Sequence, residues 1–360
     1  MNFMITFILF ILMLTAIVTI HEFGHFIACR IFNVYVSEFS IGMGKLLYQK
    51  KGKETAFSIR LLPIGGFCAI AGDNDTDLES SVENVDEIPY ERTLKGIAKW
   101  KKIIILLSGV LMNFILALLI VSMAYLSIGK AAVSPKPIIN EVVVDSPAYN
   151  VGLQSNDEII YVKLENGYSI KPDSFSELSD FLLLYEKGSI ELKVLRNGKQ
   201  LEFKLIPKYN KESESYIIGI TSYENGIEDI NIFNCFKFGF LYLVTMFKLI
   251  WTTLIGLFRG VGLNNLSGPV GIYNATSEAV SLGFESYFLL IGLLSFNIGI
   301  FNLIPIPALD GGRVILTIVE AIIGHPIDKK LEEAIMTASV ILFIGLMIFA
   351  TSQDIFKLFR

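Results

Sequence analysis

Four long apolar runs without charged side chains constrain this sequence more than any other feature. A run of about 20 such residues is long enough to cross the hydrocarbon core of a bilayer as a helix. The runs cover residues 1–20, 103–129, 286–309 and 334–353. Charged residues make up 18% of the chain, whereas soluble domains average about 25%. These features predict an α-helical polytopic membrane protein with four transmembrane helices, and they exclude a disordered chain.

A fifth apolar stretch, residues 232–259, leaves two interpretations open. Its cations Lys237, Lys248 and Arg259 recur at a spacing of eleven residues. This spacing is close to three helical turns, so the three cations share one helix face. A helix with one basic face favours the membrane interface. We therefore predict an amphipathic interfacial helix, with a fifth membrane crossing as the alternative.

The distribution of lysine residues predicts how the four spans are oriented, because cytoplasmic loops carry an excess of Lys and Arg. Lys99, Lys101 and Lys102 precede the second span. Lys329 and Lys330 lie between the third and fourth spans. These loops are expected to be cytoplasmic. Both termini and the long segment between the second and third spans are then extracytoplasmic.

Two segments between the spans have β-type patterns. Residues 33–72 have an extended pattern, and Lys51-Gly52 is typical of a hairpin turn. Residues 137–221 contain four short β-like runs, one helix-like stretch and turn pairs such as Asn197-Gly198. With about 85 residues, this segment has the size of an independent domain. We therefore predict a β-hairpin and an inserted mixed α/β domain.

The chain is thus predicted to have four parts. They are a first membrane part (1–136), the inserted domain (137–221), a connector with the amphipathic helix (222–285) and a second membrane part (286–360).

The strongest chemical signal is His21-Glu22-Phe23-Gly24-His25, which continues the first apolar run. Histidines at i and i+4 lie on one helix face, so both imidazoles can bind one Zn²⁺ ion. Glu22 lies beside them and can take a proton from water. Ionisable residues within a span are energetically unfavourable and point to function. We therefore predict a metal site; a structural helix that carries the pattern by chance is the alternative.

A catalytic zinc site usually has three protein ligands and one open position. Cys29 follows His25 on the same helix face, but three ligands along one straight helix extend over about 12 Å and cannot meet at one ion. His325 is expected to be a polar loop residue. Asp310 ends the third apolar run, where two prolines and two glycines break the helix. We predict Asp310 as the third ligand, with a helix-capping role as the alternative.

Buried amides are a further group of candidates. Asn297 and Asn302 lie in the third run. They can hold an extended substrate or form hydrogen bonds between helices, and the sequence leaves both roles open. Asn113 lies in the second run with Ser108 and Gly109. There, close packing between helices is the favoured interpretation.

These motifs together resemble the site-2 protease family of intramembrane zinc metalloproteases, most closely its bacterial regulator-of-sigma-E branch. His21-Glu22-x-x-His25 matches the zinc motif of that family, and Asn302-x-x-Pro305-x-Pro307-x-Leu309-Asp310-Gly311 matches its third-span motif. Gly109-x-x-x-Asn113-Phe114 is similar to its second-span motif. Ser146-Pro147-Ala148-Tyr149-Asn150-Val151-Gly152-Leu153, followed by Asp157, resembles a PDZ signature. The resemblance covers nearly the whole chain.

The resemblance implies a zinc ion with three protein ligands, a glutamate that acts as catalytic base and two asparagines that hold the substrate. The ligands are His21, His25 and Asp310, the base is Glu22, and the asparagines are Asn297 and Asn302.

The resemblance also implies a fold and a setting. Residues 33–72 become a membrane-reentrant β-hairpin, residues 137–221 an extracytoplasmic PDZ-like domain, and residues 232–259 an external amphipathic helix. The expected location is the bacterial plasma membrane, with the lipid bilayer as surroundings. The expected reaction is cleavage of single-span membrane proteins, already trimmed outside, within or near their transmembrane segments. Anti-sigma factors and remnant signal peptides are examples of such substrates.

Two other functions fit parts of the sequence. A metal transporter would explain intramembrane His and Asp, but it explains neither Glu22 nor the external domain. A non-catalytic PDZ scaffold would explain the inserted domain, but it has no use for buried ionisable groups. The net charge of −5, without a dense basic stripe, predicts that no nucleic acid is bound.

Overall fold

The computed structural model describes residues 3–73, 88–183, 185, 187–210, 215–258 and 268–358. The chain divides into two compact units. The first combines Met1–Ser127 with Asn231–Arg360, and the second is Ile128–Ile230. Each unit is described by itself.

The described residues form helices α1 to α9 and strands β1 to β12. The helices are α1 (Phe3–Ile31), α2 (Lys99–Ile128), α3 (Pro147–Asn150), α4 (Phe175–Leu182), α5 (Cys235–Phe258), α6 (Pro269–Leu282), α7 (Phe284–Asn302), α8 (Asp310–Ile323) and α9 (Lys329–Leu358). The strands are β1 (Val36–Lys51), β2 (Ala56–Ile70), β3 (Lys130–Val133), β4 (Ile139–Val142), β5 (Glu158–Leu164), β6 (Ser169–Ile170), β7 (Ile190–Arg196), β8 (Lys199–Leu205), β9 (Lys208–Asn210), β10 (Ser215–Ile217), β11 (Ile220–Ser222) and β12 (Gly226–Asp229).

Four helices of the first unit, α1, α2, α7 and α9, are long and apolar enough to cross a membrane. The prediction of four such helices is confirmed. The third one is shorter than its apolar run, because α7 ends at Asn302 and the chain up to Leu309 is not helical. Pro305 and Pro307 lie in this connection, and proline lacks the backbone N–H that a helix needs.

Glycines allow α2 to pack closely against its neighbours. A Cβ atom on Gly24 of α1 would lie 2.3 Å from the Ser108 carbonyl oxygen of α2. A Cβ atom on Gly299 of α7 would lie 2.6 Å from the Phe114 ring of α2. Any larger residue at these positions would push the helices apart. The packing expected around Ser108 and Gly109 is therefore present.

Helix α5 packs on the same core. Leu243 of α5 belongs to one buried apolar cluster with Val121 of α2 and Phe296 of α7. Lys237 and Lys248 are exposed, and Arg259 lies outside the described residues. Whether α5 lies at the interface or crosses the membrane stays a prediction.

Strands β1 and β2 form the hairpin that the sequence predicts over residues 33–72, with the turn at residues 52–55. Its register is more complex than that of a simple hairpin, because Ile41 is paired with both Ile59 and Gly66. The segment 66–70 of β2 lies against α1, where the Cys68 backbone N–H donates to Glu22 and Gly66 lies near Thr19. Large apolar side chains of the hairpin are nevertheless exposed, among them Met43, Leu47 and Leu62.

Ion pairs connect α8 to two other elements of the first unit. Arg313 of α8 pairs with Asp73, which follows β2, and Glu320 of α8 pairs with Lys99 at the start of α2. The helix that begins with Asp310 is therefore held from two sides.

The second unit is built around a four-stranded antiparallel sheet with the order β6-β5-β7-β8. Buried residues of β5 and β7, such as Ile159, Val162, Leu192 and Val194, form its core together with Leu178 of α4. Strands and short helices thus occur together in the segment 137–221, where the β-like runs and the helix-like stretch of the sequence predict a mixed α/β domain. The compact unit extends further at both ends, because β3 and β12 pair with each other there.

A buried carboxylate anchors one loop of this unit. Asp157 is fully buried, accepts two hydrogen bonds of 2.7 Å from Arg196 and accepts one of 2.9 Å from the Gln154 backbone N–H. The hydrogen bonds to Asp157 raise the pKa of the Arg196 guanidinium above its ordinary value. Arg196 also donates to the Gly152 carbonyl group. Asp157 therefore holds together the end of β7 and the loop before β5.

Replacing Asp157 with Ala is expected to lower the free energy of unfolding of this unit by about 3 kcal/mol, because the Arg196 charge loses its buried partner. Limited proteolysis of the detergent-solubilised chain at increasing urea concentration measures this change. The control is Glu202→Ala, which breaks the exposed Lys193–Glu202 pair and should change stability by less than about 1 kcal/mol. Equal effects of the two substitutions would contradict the role of Asp157.

Candidate metal centre

Helix α1 carries both histidines of the HExxH motif on its buried side. His21 and His25 are each 7% exposed. Their Nε2 atoms lie 3.2 Å apart, because a spacing of four residues places them one turn apart on one face. The helix continues to Ile31 without a break, so the two rings are fixed relative to each other.

Asp310 reaches these histidines from the other end of the sequence. It is the first residue of α8, and its side chain is 11% exposed. Its Oδ2 atom lies 3.0 Å from His21 Nε2 and 3.5 Å from His25 Nε2. The structure therefore brings together the three residues that the sequence selects as metal ligands. The N-cap residue of α8 is Leu309 rather than Asp310, and no side-chain capping hydrogen bond is formed there.

The three facing atoms fit a tetrahedral zinc ion. With metal–ligand distances of about 2.0–2.1 Å, neighbouring ligand atoms of a tetrahedral site lie about 3.3 Å apart. The observed separations of 3.0, 3.2 and 3.5 Å lie around this value. Within the described residues, Asp310 Oδ2 is buried and has no hydrogen-bond partner. When both imidazoles carry their proton on Nδ1, as metal binding through Nε2 requires, the three facing atoms are all acceptors. They then repel one another unless a cation lies among them.

The outer nitrogens of the two imidazoles have defined partners. His25 Nδ1 lies 2.8 Å from the Ile105 carbonyl oxygen of α2, to which it donates its proton. This leaves Nε2 of His25 with a free lone pair, as a metal ligand requires. His21 Nδ1 lies 3.2 Å from the side-chain amide of Asn113. Sequence reasoning gave Asn113 only a packing role and missed this contact.

Gly109 makes room for the two rings. A Cβ atom at this position would lie 2.4 Å from His25 Nε2 and 2.8 Å from His21 Cε1. Gly109 and Asn113 are four residues apart on α2, so both lie on the face of α2 that meets the histidines. In the sequence, the Gly-x-x-x-Asn spacing was the signal that could have revealed that Gly109 and Asn113 both face the histidines.

Glu22 has a different environment from the three ligand-forming residues. One carboxylate oxygen, Oε2, accepts a 3.1 Å hydrogen bond from the Cys68 backbone N–H of β2. It directly follows His21 in α1. Glu22 thus lies between the metal-ligand cluster and the strand segment 66–70. The sequence did not indicate the contact with Cys68, because it depends on how the hairpin docks on α1.

The remaining candidates have different surroundings. Cys29 is buried in the apolar cluster of α1 and the hairpin, and His325 is exposed in the loop after α8. Asn297 lies inside α7 and Asn302 is its last residue. In the described part of the chain, Asn297 Oδ1 is buried and lacks a hydrogen-bond partner.

Replacing Gly109 with Ala is expected to reduce bound zinc well below one ion per chain, because the added methyl group would occupy the space of the His25 ring. Metal analysis of the purified protein measures this ratio. Gly345→Ala on α9 is the matched control, since a Cβ atom there would have no neighbour within 4 Å among the described residues. A Gly109→Ala protein with full zinc content would show that the rings can move aside.

Comparison with known proteins identifies the family. The family model described as "Peptidase family M50" matches residues 9–346. A protein of Clostridium acetobutylicum is 33% identical over 346 residues, which cover 96% of each chain. A protein of Fusobacterium nucleatum is 31% identical over 99% of this chain and 100% of the relative. A protein of Staphylococcus aureus is 29% identical over the full length of both.

The names of all three relatives assign them to the zinc metalloproteases. The resemblance to the site-2 proteases is therefore confirmed, and so is the prediction of an enzyme that depends on zinc. The chain belongs to peptidase family M50, the site-2 protease family, and is a multi-pass membrane zinc metalloprotease.

Proposed function

We propose that this chain hydrolyses peptide bonds within or near the transmembrane segments of single-span membrane proteins. The observation that carries the proposal is the cluster of His21, His25 and Asp310, which lies among helices apolar enough to span a bilayer. An active site in such surroundings is suited to substrates that are themselves embedded in lipid.

In this proposal, the zinc ligands are His21, His25 and Asp310. Two imidazoles and one carboxylate form the type of ligand set that catalytic zinc sites use, with one position left open for water or substrate. When bound, zinc supplies Lewis acidity, which polarises the scissile carbonyl group and makes a water molecule more acidic.

Glu22 acts as the general base and then as the general acid. It accepts a proton from the attacking water, whose oxygen forms the new bond to the carbonyl carbon. It then donates that proton to the leaving amine as the C–N bond breaks. The hydrogen bond from the Cys68 N–H to Oε2 orients the carboxylate and leaves its other oxygen available for this transfer.

The hairpin is proposed to hold the substrate in an extended conformation. A helical substrate hides its amide groups in hydrogen bonds, so it must unwind before water can attack. Residues 46–51 of β1 are paired with residues 56–60 on one side, and the described register gives them no pairing on the other side. A free strand edge within residues 40–62 can add an extended peptide as a further strand.

The exposed apolar side chains of the hairpin support its insertion into lipid. In water, large exposed apolar patches of this kind promote aggregation. They are favourable in a bilayer, so we propose that the segment 33–72 is membrane-reentrant. Asn297, whose buried Oδ1 atom lacks a partner in the described part of the chain, is proposed to hold the substrate together with Asn302.

The second unit is proposed to be a PDZ-like domain on the extracytoplasmic side of a bacterial plasma membrane. Its Ser146–Leu153 segment contains a short helix capped by Ser146 and leads to the buried Asp157. Such a domain can act as a size filter that admits only substrates already trimmed outside the membrane. The lysine distribution supports extracytoplasmic termini on the same side.

Replacing Glu22 with Gln is expected to leave one zinc ion per chain and to lower the cleavage rate by at least about a hundredfold, because the proton acceptor is lost. Asp310→Ala should instead lower the zinc content, since it removes a ligand. Metal analysis and cleavage of a single-span substrate in detergent measure both properties. His325→Gln, in the exposed loop after α8, is the control that should change neither.

Retained cleavage by the Glu22→Gln protein would refute the role of this residue. In cells, membrane proteomics that compares wild type with Glu22→Gln should reveal single-span fragments that accumulate only in the variant. These fragments would identify the substrates.

Deleting residues 137–221 is expected to widen the substrate range, because the proposed filter is then absent. Cleavage of an untrimmed single-span protein and of its trimmed form is compared in the deletion protein and in the full chain. The same deletion combined with Glu22→Gln controls for contaminating proteases. An unchanged preference for the trimmed form would argue against the filter.

A further inference from the structure

Asn113 is fully buried in α2 at the point where α1, α2 and α7 meet. Its side-chain amide lies 3.2 Å from His21 Nδ1 of α1. Its backbone carbonyl oxygen accepts a 2.9 Å hydrogen bond from Ser295 Oγ of α7. The backbone of Asn113 is thus fixed from one side, while its side chain faces a proposed metal ligand on the other.

The protonation state of His21 sets a requirement for this amide. An imidazole that binds a metal through Nε2 must carry its proton on Nδ1. That Nδ1–H group is a donor, so its partner has to be an acceptor. The matching group for His25 is the Ile105 carbonyl oxygen, an acceptor at 2.8 Å. For His21, the only acceptor that the Asn113 side chain can offer is Oδ1.

The unpartnered oxygen of Asn113 points to the same arrangement. In the structure, the amide nitrogen Nδ2 faces His21, and Oδ1 is buried without a hydrogen-bond partner among the described residues. The two ends of an amide have nearly the same size, and the terminal torsion is two-fold. A half-turn of this group places Oδ1 beside Nδ1, where it accepts the proton that the metal-binding form of His21 carries.

We propose that Asn113 is a positioning residue for the metal centre, whose amide oxygen accepts the Nδ1 proton of His21 and leaves Nε2 free to bind zinc. The inference rests on the proposed role of His21 as a zinc ligand. It assigns the two residues of the Gly109-x-x-x-Asn113 motif different tasks: Gly109 leaves space for the rings, and Asn113 fixes the proton and orientation of one of them.

Outer partners of metal-binding histidines typically change metal affinity by about 10- to 100-fold when they are removed. Asn113→Leu has a similar volume and no acceptor, so it should weaken zinc binding by this factor. Asn113→Asp keeps an acceptor toward Nδ1, so its zinc affinity should stay within a few-fold of wild type. Competition of the purified full chain with zinc chelators of graded affinity measures all three proteins.

Thermal unfolding of the zinc-free proteins separates this role from a purely structural one. A buried charge is unfavourable and a buried apolar side chain is not. If Asn113 only filled space between helices, Asn113→Asp would be the more damaging substitution in every measurement. The proposal predicts opposite orders: zinc affinity is higher for Asn113→Asp, whereas the stability of the zinc-free protein is higher for Asn113→Leu.

Ser122→Ala serves as the control, because Ser122 is also buried in α2 but contacts Gly239 of α5 rather than the histidines. Its zinc affinity should equal that of wild type. If Asn113→Leu fails to fold, Asn113→Ala provides a second variant without an acceptor. Unchanged zinc affinity in the variants without an acceptor, or an equal loss in Asn113→Asp, would overturn the inference. If the wild-type chain itself binds no zinc, the proposed ligand set is wrong instead.

Discussion

The constraint on which the rest of this structure depends is the mutual repulsion of three atoms that are all acceptors when both imidazoles carry their proton on Nδ1, the form that binds a metal. His21 Nε2, His25 Nε2 and Asp310 Oδ2 face one another at 3.0–3.5 Å, and their side chains are almost completely buried. Among the described residues, no hydrogen-bond donor compensates Asp310 Oδ2. A divalent cation removes this repulsion and turns it into attraction for all three ligands. The helices around the cluster therefore have to hold the ligands close enough for one ion to reach them.

Close approach of the helices is achieved with residues that lack side-chain bulk. Gly24 allows the backbone of α1 to contact α2, and Gly109 accommodates the imidazoles on the opposite surface. In a bilayer, helix association relies on such packing, because lipid tails are as apolar as the helices themselves. The same close contact brings the Ile105 carbonyl group and the Asn113 amide within hydrogen-bond distance of the rings. Packing and metal chemistry thus depend on the same few positions of α2.

Local features of this fold could be predicted from the sequence, and features that depend on docking could not. The i, i+4 spacing of His21 and His25 fixes their relation within one helix, and the prolines before Asp310 predict the break that frees it. The contacts of Asn113 and of the Cys68 N–H depend on how α2 rotates and how the hairpin lies on α1. The hydrophobic pattern of the sequence predicts neither this rotation nor this docking. The ends of the second unit could not be predicted for the same reason, because β3 and β12 pair with each other although the whole inserted segment separates them in the sequence.

The proposed ligand set also connects parts of the chain that are far apart in sequence. Asp310 is delivered by α8, which ion pairs from Arg313 to Asp73 and from Lys99 to Glu320 hold against the hairpin end and α2. Because folded and unfolded chains differ in whether these ligands are assembled, zinc binding is coupled to the stability of the bundle. An ion that joins α1 to α8 therefore does more than activate water. It would also offset the repulsion that the assembled side chains impose on the folded state, and it would stabilise the arrangement in which Glu22 accepts the hydrogen bond from the Cys68 N–H.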